Sequence, residues 1–228
     1  MAGHIGLIGG IGPAATDYYY RQVISSFAAT GVPLDLTMVH ADTPTLLNNQ
    51  RLGNTGDQVQ VFCRLANRLR AAGAELAVVT SIAGHFCIED FKDASPLPVV
   101  DLIESVDQAA VARKLRRIGI LGTEVVMRSQ FYGGLSRAEA LAPPDTLIGD
   151  VHEAYVTMAA SGFVTDEQRR VFDAACEWFL KTAGVDAVML GGTDLAMVYS
   201  AETSDFPILD CAAIHADTVV SAALSISN

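Results

Sequence analysis

The sequence predicts an α/β protein built from two similar lobes, each a parallel sheet covered by helices. Three observations predict it. Short apolar, β-prone runs alternate with amphipathic helical stretches. Three segments recur in the same order along the chain at a nearly constant offset. Four of the five apolar runs stop at Gly, Ser or Thr, the punctuation of strands that feed loops.

The elements follow in order. "HIGLIGG" (4–10) is the first strand, and "GGIGPAAT" turns it into a helix that begins near Pro13. "LDLTMVHA" (34–41) is the second strand, followed by the polar, glycine-containing loop "NNQRLGNTG" (48–56). Phe62, Leu65, Ala66 and Leu69 then fall at i, i+3, i+4 and i+7, one apolar helical face. "ELAVVTS" (75–81), "RIGILGT" (117–123) and "DAVMLGG" (186–192) are the remaining strands. Phe172, Ala175, Cys176 and Phe179 repeat the helical spacing ahead of the last of these.

The repeat sets the organisation. "IGLIGG" (5–10) resembles "IGILGT" (118–123), an offset of 113. "GAELAVVTSIAG" (73–84) resembles "GVDAVMLGGTDL" (184–195), an offset of 111. "LPVVDLIESVDQA" (97–109) resembles "FPILDCAAIHADT" (206–218), offset by 109 to 110. The expectation is one lobe over 1–110, a second over 111–212, and a final helix over 213–228 that returns to the first. Ligands in open α/β sheets bind beyond the carboxyl ends of the strands. Ser81 and Gly192, related by the offset of 111, are therefore expected to approach a small substrate from two sides of a shared cleft.

Composition narrows the function. The 228 residues are 50% hydrophobic and 18% charged, as in globular domains. A net charge of −11 argues against nucleic-acid or anionic-membrane partners. The one basic cluster, Arg113, Lys114, Arg116 and Arg117, reads as a solvated helix end. Cys63, Cys87, Cys176 and Cys211 form no C-x-x-C pair and read as reduced, mostly buried thiols. The five histidines show no metal-binding spacing, so no metal is expected. The N-terminus enters "GHIGLIGGIG" without a basic n-region or cleavage pattern, so a cytoplasmic location is expected.

Three loops carry chemistry. Gly10, Gly12 and Ala15 form G-x-G-x-x-A after a strand, with Asp42 at the end of the next strand, a lookalike of a dinucleotide site. Pro13 inside the turn favours a simpler reading: Gly10, Ile11 and Gly12 bring backbone close to a ligand, and the helix start offers N–H groups to a carboxylate. "VVTSIAGHF" (78–86) contributes Thr80, Ser81 and His85, and a Ser and a His four residues apart could pair. No G-x-S-x-G elbow accompanies them. The bland alternatives are a helix cap for Ser81 and first-turn packing for His85. Gln50 and Arg51 could clamp a carboxylate, or belong to a solvated loop. Thr123, ending "RIGILGT", places a hydroxyl at a strand end.

"GLIGGIGPAATDYYYR", "GAELAVVTSIAGH", "RIGILGTEVVMRSQFY", "DAVMLGGTDL" and "PILDCAAIHA" together resemble the aspartate/glutamate racemase superfamily, from near residue 5 to near residue 220. The resemblance implies two Rossmann-like lobes related by a pseudo-dyad, no cofactor, and proton transfer at the α-carbon of a small carboxylate or amino acid. It also implies a homodimer. Such racemases usually carry one cysteine per lobe. The first position, in a motif like C-N-T-x-H, reads Ser81-Ile82-Ala83-Gly84-His85 here. The second, in a motif like L-G-C-T-E, reads Leu190-Gly191-Gly192-Thr193-Asp194. The chain thus resembles a divergent member without either catalytic cysteine, with Ser81, Gly192, His85 and Asp194 at the catalytic positions. Thr80, Ile82, Ala83 and Thr193 would line the substrate. A free thiol with a pKa of about 8.5 can be tuned for acid and base work; serine is a far poorer acid and glycine carries no proton. A racemase-like isomerase, a lyase, decarboxylase or cis-trans isomerase on a small carboxylate, and a non-catalytic carboxylate binder all remain open at this point.

Overall fold

The computed structural model describes residues 2–226. The chain divides into two compact units, one comprising residues up to Leu102 together with those from Ala213 onward, the other Ile103–Ala212.

In the first unit the order is β1 (Ile5–Gly9), α1 (Pro13–Thr30), β2 (Leu36–His40), α2 (Thr43–Leu52), α3 (Thr55–Ala71), β3 (Leu76–Val79), a 3-10 turn over Ile82–Cys87, α4 (Ile88–Ala94) and β4 (Val99–Val100), with α5 (Leu102–Ala112) beginning at the division. The four strands are all parallel in the order β2-β1-β3-β4. Every residue of the central strands β1 and β3 is buried, as a sheet covered on both faces requires. β2 lies at the edge and is half-exposed. The predicted face of α3 is the buried one: Phe62, Leu65, Ala66 and Leu69 all lie in the core. Pro13 opens α1, where its missing N–H leaves no helical bond unmade.

The second unit runs β5 (Arg117–Gly122), α6 (Glu124–Arg128), β6 (Glu139–Leu141), α7 (Asp145–Ser161), α8 (Asp166–Trp178), a π turn over Phe179–Ala183, β7 (Ala187–Gly191), a 3-10 turn over Thr193–Met197 and β8 (Ile208–Asp210). Its sheet, β6-β5-β7-β8, is again all parallel and repeats the first permutation. Phe172, Ala175, Cys176 and Phe179 are buried as their spacing predicts. α8 starts with a reciprocal capping box between Thr165 and Gln168. The last helix, α9 (Cys211–Ile226), packs on the first unit: Gly3 N–H donates to the Ala223 carbonyl, and Val219 and Ala223 are fully buried.

Five strands stand where the apolar runs predict them. Three more, β4, β6 and β8, are two or three residues long, below the length at which alternation registers in a sequence. The basic cluster divides. Arg113 and Lys114 follow the end of α5, with Lys114 in left-handed backbone (φ 57°), whereas Arg117 opens β5 and pairs with Glu139 at 3.1 Å. All four cysteines are free thiols, three of them buried. Among the described residues no helix is long and apolar enough to cross a membrane.

Candidate functional site

Each sheet ends in the same local device. After β3 the chain passes through Ser81 with φ −147° and ψ 129°; after β7 it passes through Gly192 with φ −145° and ψ 126°. Both residues are extended, both are buried, and both precede a 3-10 turn. The carbonyl of each is capped three residues on: Gly84 N–H donates to Ser81 O at 3.2 Å, and Leu195 N–H to Gly192 O at 3.0 Å. The offset of 111 thus extends to backbone angles and to a hydrogen bond.

At the first tip, Thr80 fastens β3 to β1. Its N–H and its hydroxyl each reach the Ile8 carbonyl at 3.2 Å. Thr80 is wholly buried, so its hydroxyl serves this link rather than a ligand. His85 Nδ1 donates to the Ser81 carbonyl at 2.7 Å, and its Nε2 accepts the Leu102 N–H at 3.3 Å. Neither ring nitrogen is left for the Ser81 hydroxyl, which corrects the Ser–His pairing expected from the spacing. Burial depresses the His85 pKa, opposed by the Asp101 charge and the bond to Ser81. A neutral, doubly bonded imidazole holds the tip in shape; it is placed to position, not to carry protons. Ile82 is buried and Ala83 half-buried. Gln50 donates from Nε2 to the Ala83 carbonyl at 3.0 Å, so its side chain belongs to the tip. Arg51 does not join it: the residue is exposed, and Nη2 donates to Asn48 Oδ1 at 3.0 Å. The cause is helical geometry, since adjacent residues on α2 point about 100° apart. Cys87 is no substitute thiol. It is buried, leans on the Gly84 carbonyl at 3.8 Å, and burial pushes its pKa up to about 12.

The loop after β1 is shaped by two glycines in left-handed backbone, Gly10 (φ 90°) and Gly12 (φ 86°). A Cβ at Gly10 would stand 2.6 Å from the Ala41 carbonyl and strike the His40 ring, so only glycine fits. The Gly10 N–H donates to Thr16 Oγ1 at 2.9 Å and its carbonyl accepts from Thr43 Oγ1 at 2.5 Å. Gly10 therefore supplies shape rather than a donor, and Ile11 is buried beside it. Asp42 caps α2, accepting the Thr45 N–H at 2.9 Å and hydroxyl at 2.5 Å. These bonds lower its pKa and give it a structural role in place of the ribose contact of a dinucleotide site.

At the second tip, Thr193 and Asp194 follow Gly192 into the 3-10 turn, and both are buried. Their partner, absent from the sequence reading, is Tyr155 of α7. Its Oη donates to Asp194 Oδ2 at 2.9 Å in a buried contact. Burial, then the Asp194 charge, raises the Tyr155 pKa well above the ordinary phenol value. Thr123 caps α6, its hydroxyl accepting the Val126 N–H at 3.4 Å.

A profile of the Asp/Glu/hydantoin racemase family matches residues 8–219. The chain belongs to that family. A provisionally described Asp/Glu racemase from Yersinia pestis superposes with a TM-score of 0.85 at 26% identity, covering 97% of this chain and 99% of that one. An aspartate racemase homologue from Pyrococcus horikoshii gives a TM-score of 0.81 at 24% identity over 96% and 98% of the two chains, a likeness of fold. A glutamate racemase from Parafrankia is 30% identical over 129 residues, 56% of this chain and 46% of that protein. The chain spans about half the length of the curated relatives it matches. This racemase-family member is marked by the occupants of its two tips, a hydroxyl at residue 81 and no side chain at residue 192.

Proposed function

We propose that the chain is an enzyme that moves a proton at the α-carbon of a small amino or carboxylic acid without a cofactor. The observation that carries this reading is the near-identity of the two tips, in backbone angles and carbonyl cap, within a chain of the racemase family. In this proposal the Ser81 hydroxyl handles the proton. Backbone N–H groups of Ile11 and Gly12 and of the first tip hold the carboxylate and stabilise the enolate that forms on deprotonation. Gln50, bound to Ala83, keeps the first tip in place, and His85 fixes the Ser81 carbonyl. The apolar Ile82 and Ala83 replace the Asn-Thr pair usual in the family, which suits a substrate with few polar groups on that side.

The test is solvent deuterium wash-in. Aspartate, glutamate and a panel of small α-substituted acids are incubated with the enzyme in D2O and read at the α-carbon by NMR. Wild type is expected to incorporate deuterium into at least one of them. Ser81→Ala is expected to slow incorporation by about 10²–10⁴-fold, the usual penalty for losing a positioned acid or base. Loss of carbon dioxide, or a new double bond absorbing in the ultraviolet, would assign a lyase reaction instead. Binding without exchange or turnover would leave a carboxylate binder.

A further inference from the structure

The second tip is filled from within its own lobe. A Cβ built on Gly192 would lie 2.6 Å from Tyr155 Oη and closer still to Cε2 and Cζ of the same ring. Real Cβ atoms essentially never come within 3.0 Å of another heavy atom. The backbone is not what demands glycine here, because φ −145° and ψ 126° suit any residue. The tyrosine ring demands it. That ring is held at two ends. α7 carries it, packed through Ile148, Val151 and Met158, and the phenol is tied to Asp194 at 2.9 Å. Tyr155 therefore stands in the space where the family resemblance places a thiol.

We propose that Tyr155 closes the proton-carrying position of the second lobe, so that the enzyme handles the α-proton on one face only and exchanges it without inverting the carbon. This rests on the reading under Proposed function. Inversion needs a carrier for each face of the carbon. The Tyr155 proton is committed to the Asp194 carboxylate, and burial together with that charge holds the phenol protonated far above neutrality. A group so placed is a wall with an internal hydrogen bond, not a carrier poised near working pH. The substrate class that follows is an acid whose α-proton is exchanged, or whose enolate is quenched, with a single stereochemical outcome.

Two measurements test it. The first needs no substrate. Gly192→Ala is made in wild type and in Tyr155→Ala, and the thermal midpoints of all four proteins are compared. Gly192→Ala is expected to lower the midpoint by several degrees beside Tyr155 and to have little effect once the ring is gone; equal shifts in both backgrounds would overturn the proposal. The second follows configuration during deuterium wash-in. Wild type is expected to label one enantiomer with retention, with racemisation at least ~100-fold slower than exchange. Gly192→Cys alone should not racemise, whereas Gly192→Cys with Tyr155→Ala should. Racemisation by wild type at the exchange rate, or by Gly192→Cys with Tyr155 in place, would sink the idea. If no acid exchanges at all, the functional reading fails by itself, and the stability comparison alone decides whether Tyr155 closes the position.

Discussion

Gln130, Phe131 and Tyr132 adopt positive φ in succession, at 53°, 59° and 57°. Left-handed backbone is disfavoured for L-residues by ~1–2 kcal/mol each. Gln130 is exposed, so no packing of its side chain offsets that strain. Gln130→Gly is expected to stabilise the protein by roughly 0.5 kcal/mol, the relieved strain less the added freedom of the unfolded chain. Urea denaturation reads this directly, and a loss of stability would show that glutamine itself holds the turn. The candidate site divides at this same scale between what the residues announce and what they do not. Ser81 and Gly192 are visible in the sequence because each ends a buried strand and the repeat equates them. Gln50 and Arg51 read as one clamp because they are adjacent, but on α2 their side chains point about 100° apart and meet different partners. Tyr155 was not visible: it lies in "VHEAYVTMAA", where an aromatic at helical spacing reads as core. Its meaning comes only from the tertiary approach of α7 to Gly192.

Strands and helices were legible to the extent that their burial is periodic. β1, β3, β5 and β7 are central and buried, so their continuous apolar runs identify them. β6, at the edge, is Glu139-Ala140-Leu141 with only Ala140 buried, and nothing local distinguishes it from a loop. Register and strand order are set by packing between distant segments, which the repeat could equate but not arrange. Gly119 shows how narrow such packing is. It lies in β5, and a Cβ there would stand 2.5 Å from the Phe179 ring at the end of α8. The absent side chain is what lets the π turn after α8 lie against the sheet. Gly119→Ala is expected to destabilise by about 1–3 kcal/mol, the usual effect of overpacking a core. A lower denaturant midpoint with an unchanged slope would establish it, and an unchanged midpoint would mean that Phe179 has another place to go.

At the scale of the molecule, the chain passes between its two units twice, each time in the first turn of a helix that follows a short strand. On the second passage α9 brings His215 into the core of the first unit. His215 Nε2 donates to the Val100 carbonyl at 2.9 Å, so Nδ1 is the acceptor for Tyr19 Oη at 2.8 Å. His85 lies edge-on to it with ring centroids 5.9 Å apart. Burial, reinforced by His85, lowers the His215 pKa to about 3, with the Val100 hydrogen bond and then Asp101 opposing; the His85 pKa is lowered too. An unfolded histidine titrates near 6.5, at about its ordinary value. Below that pH the unfolded chain binds protons that the native chain refuses, so stability is fully present above about pH 6.5 and falls as pH drops towards 3. For His215 the accumulated loss is on the order of a few kcal/mol. His215→Gln can still donate to Val100 and accept from Tyr19, yet it has no proton to gain. Unfolding free energies at pH 7 and pH 5 should therefore differ less in His215→Gln than in wild type. The same pH dependence in both proteins would mean that the acid sensitivity arises elsewhere and that this buried pair does not govern it.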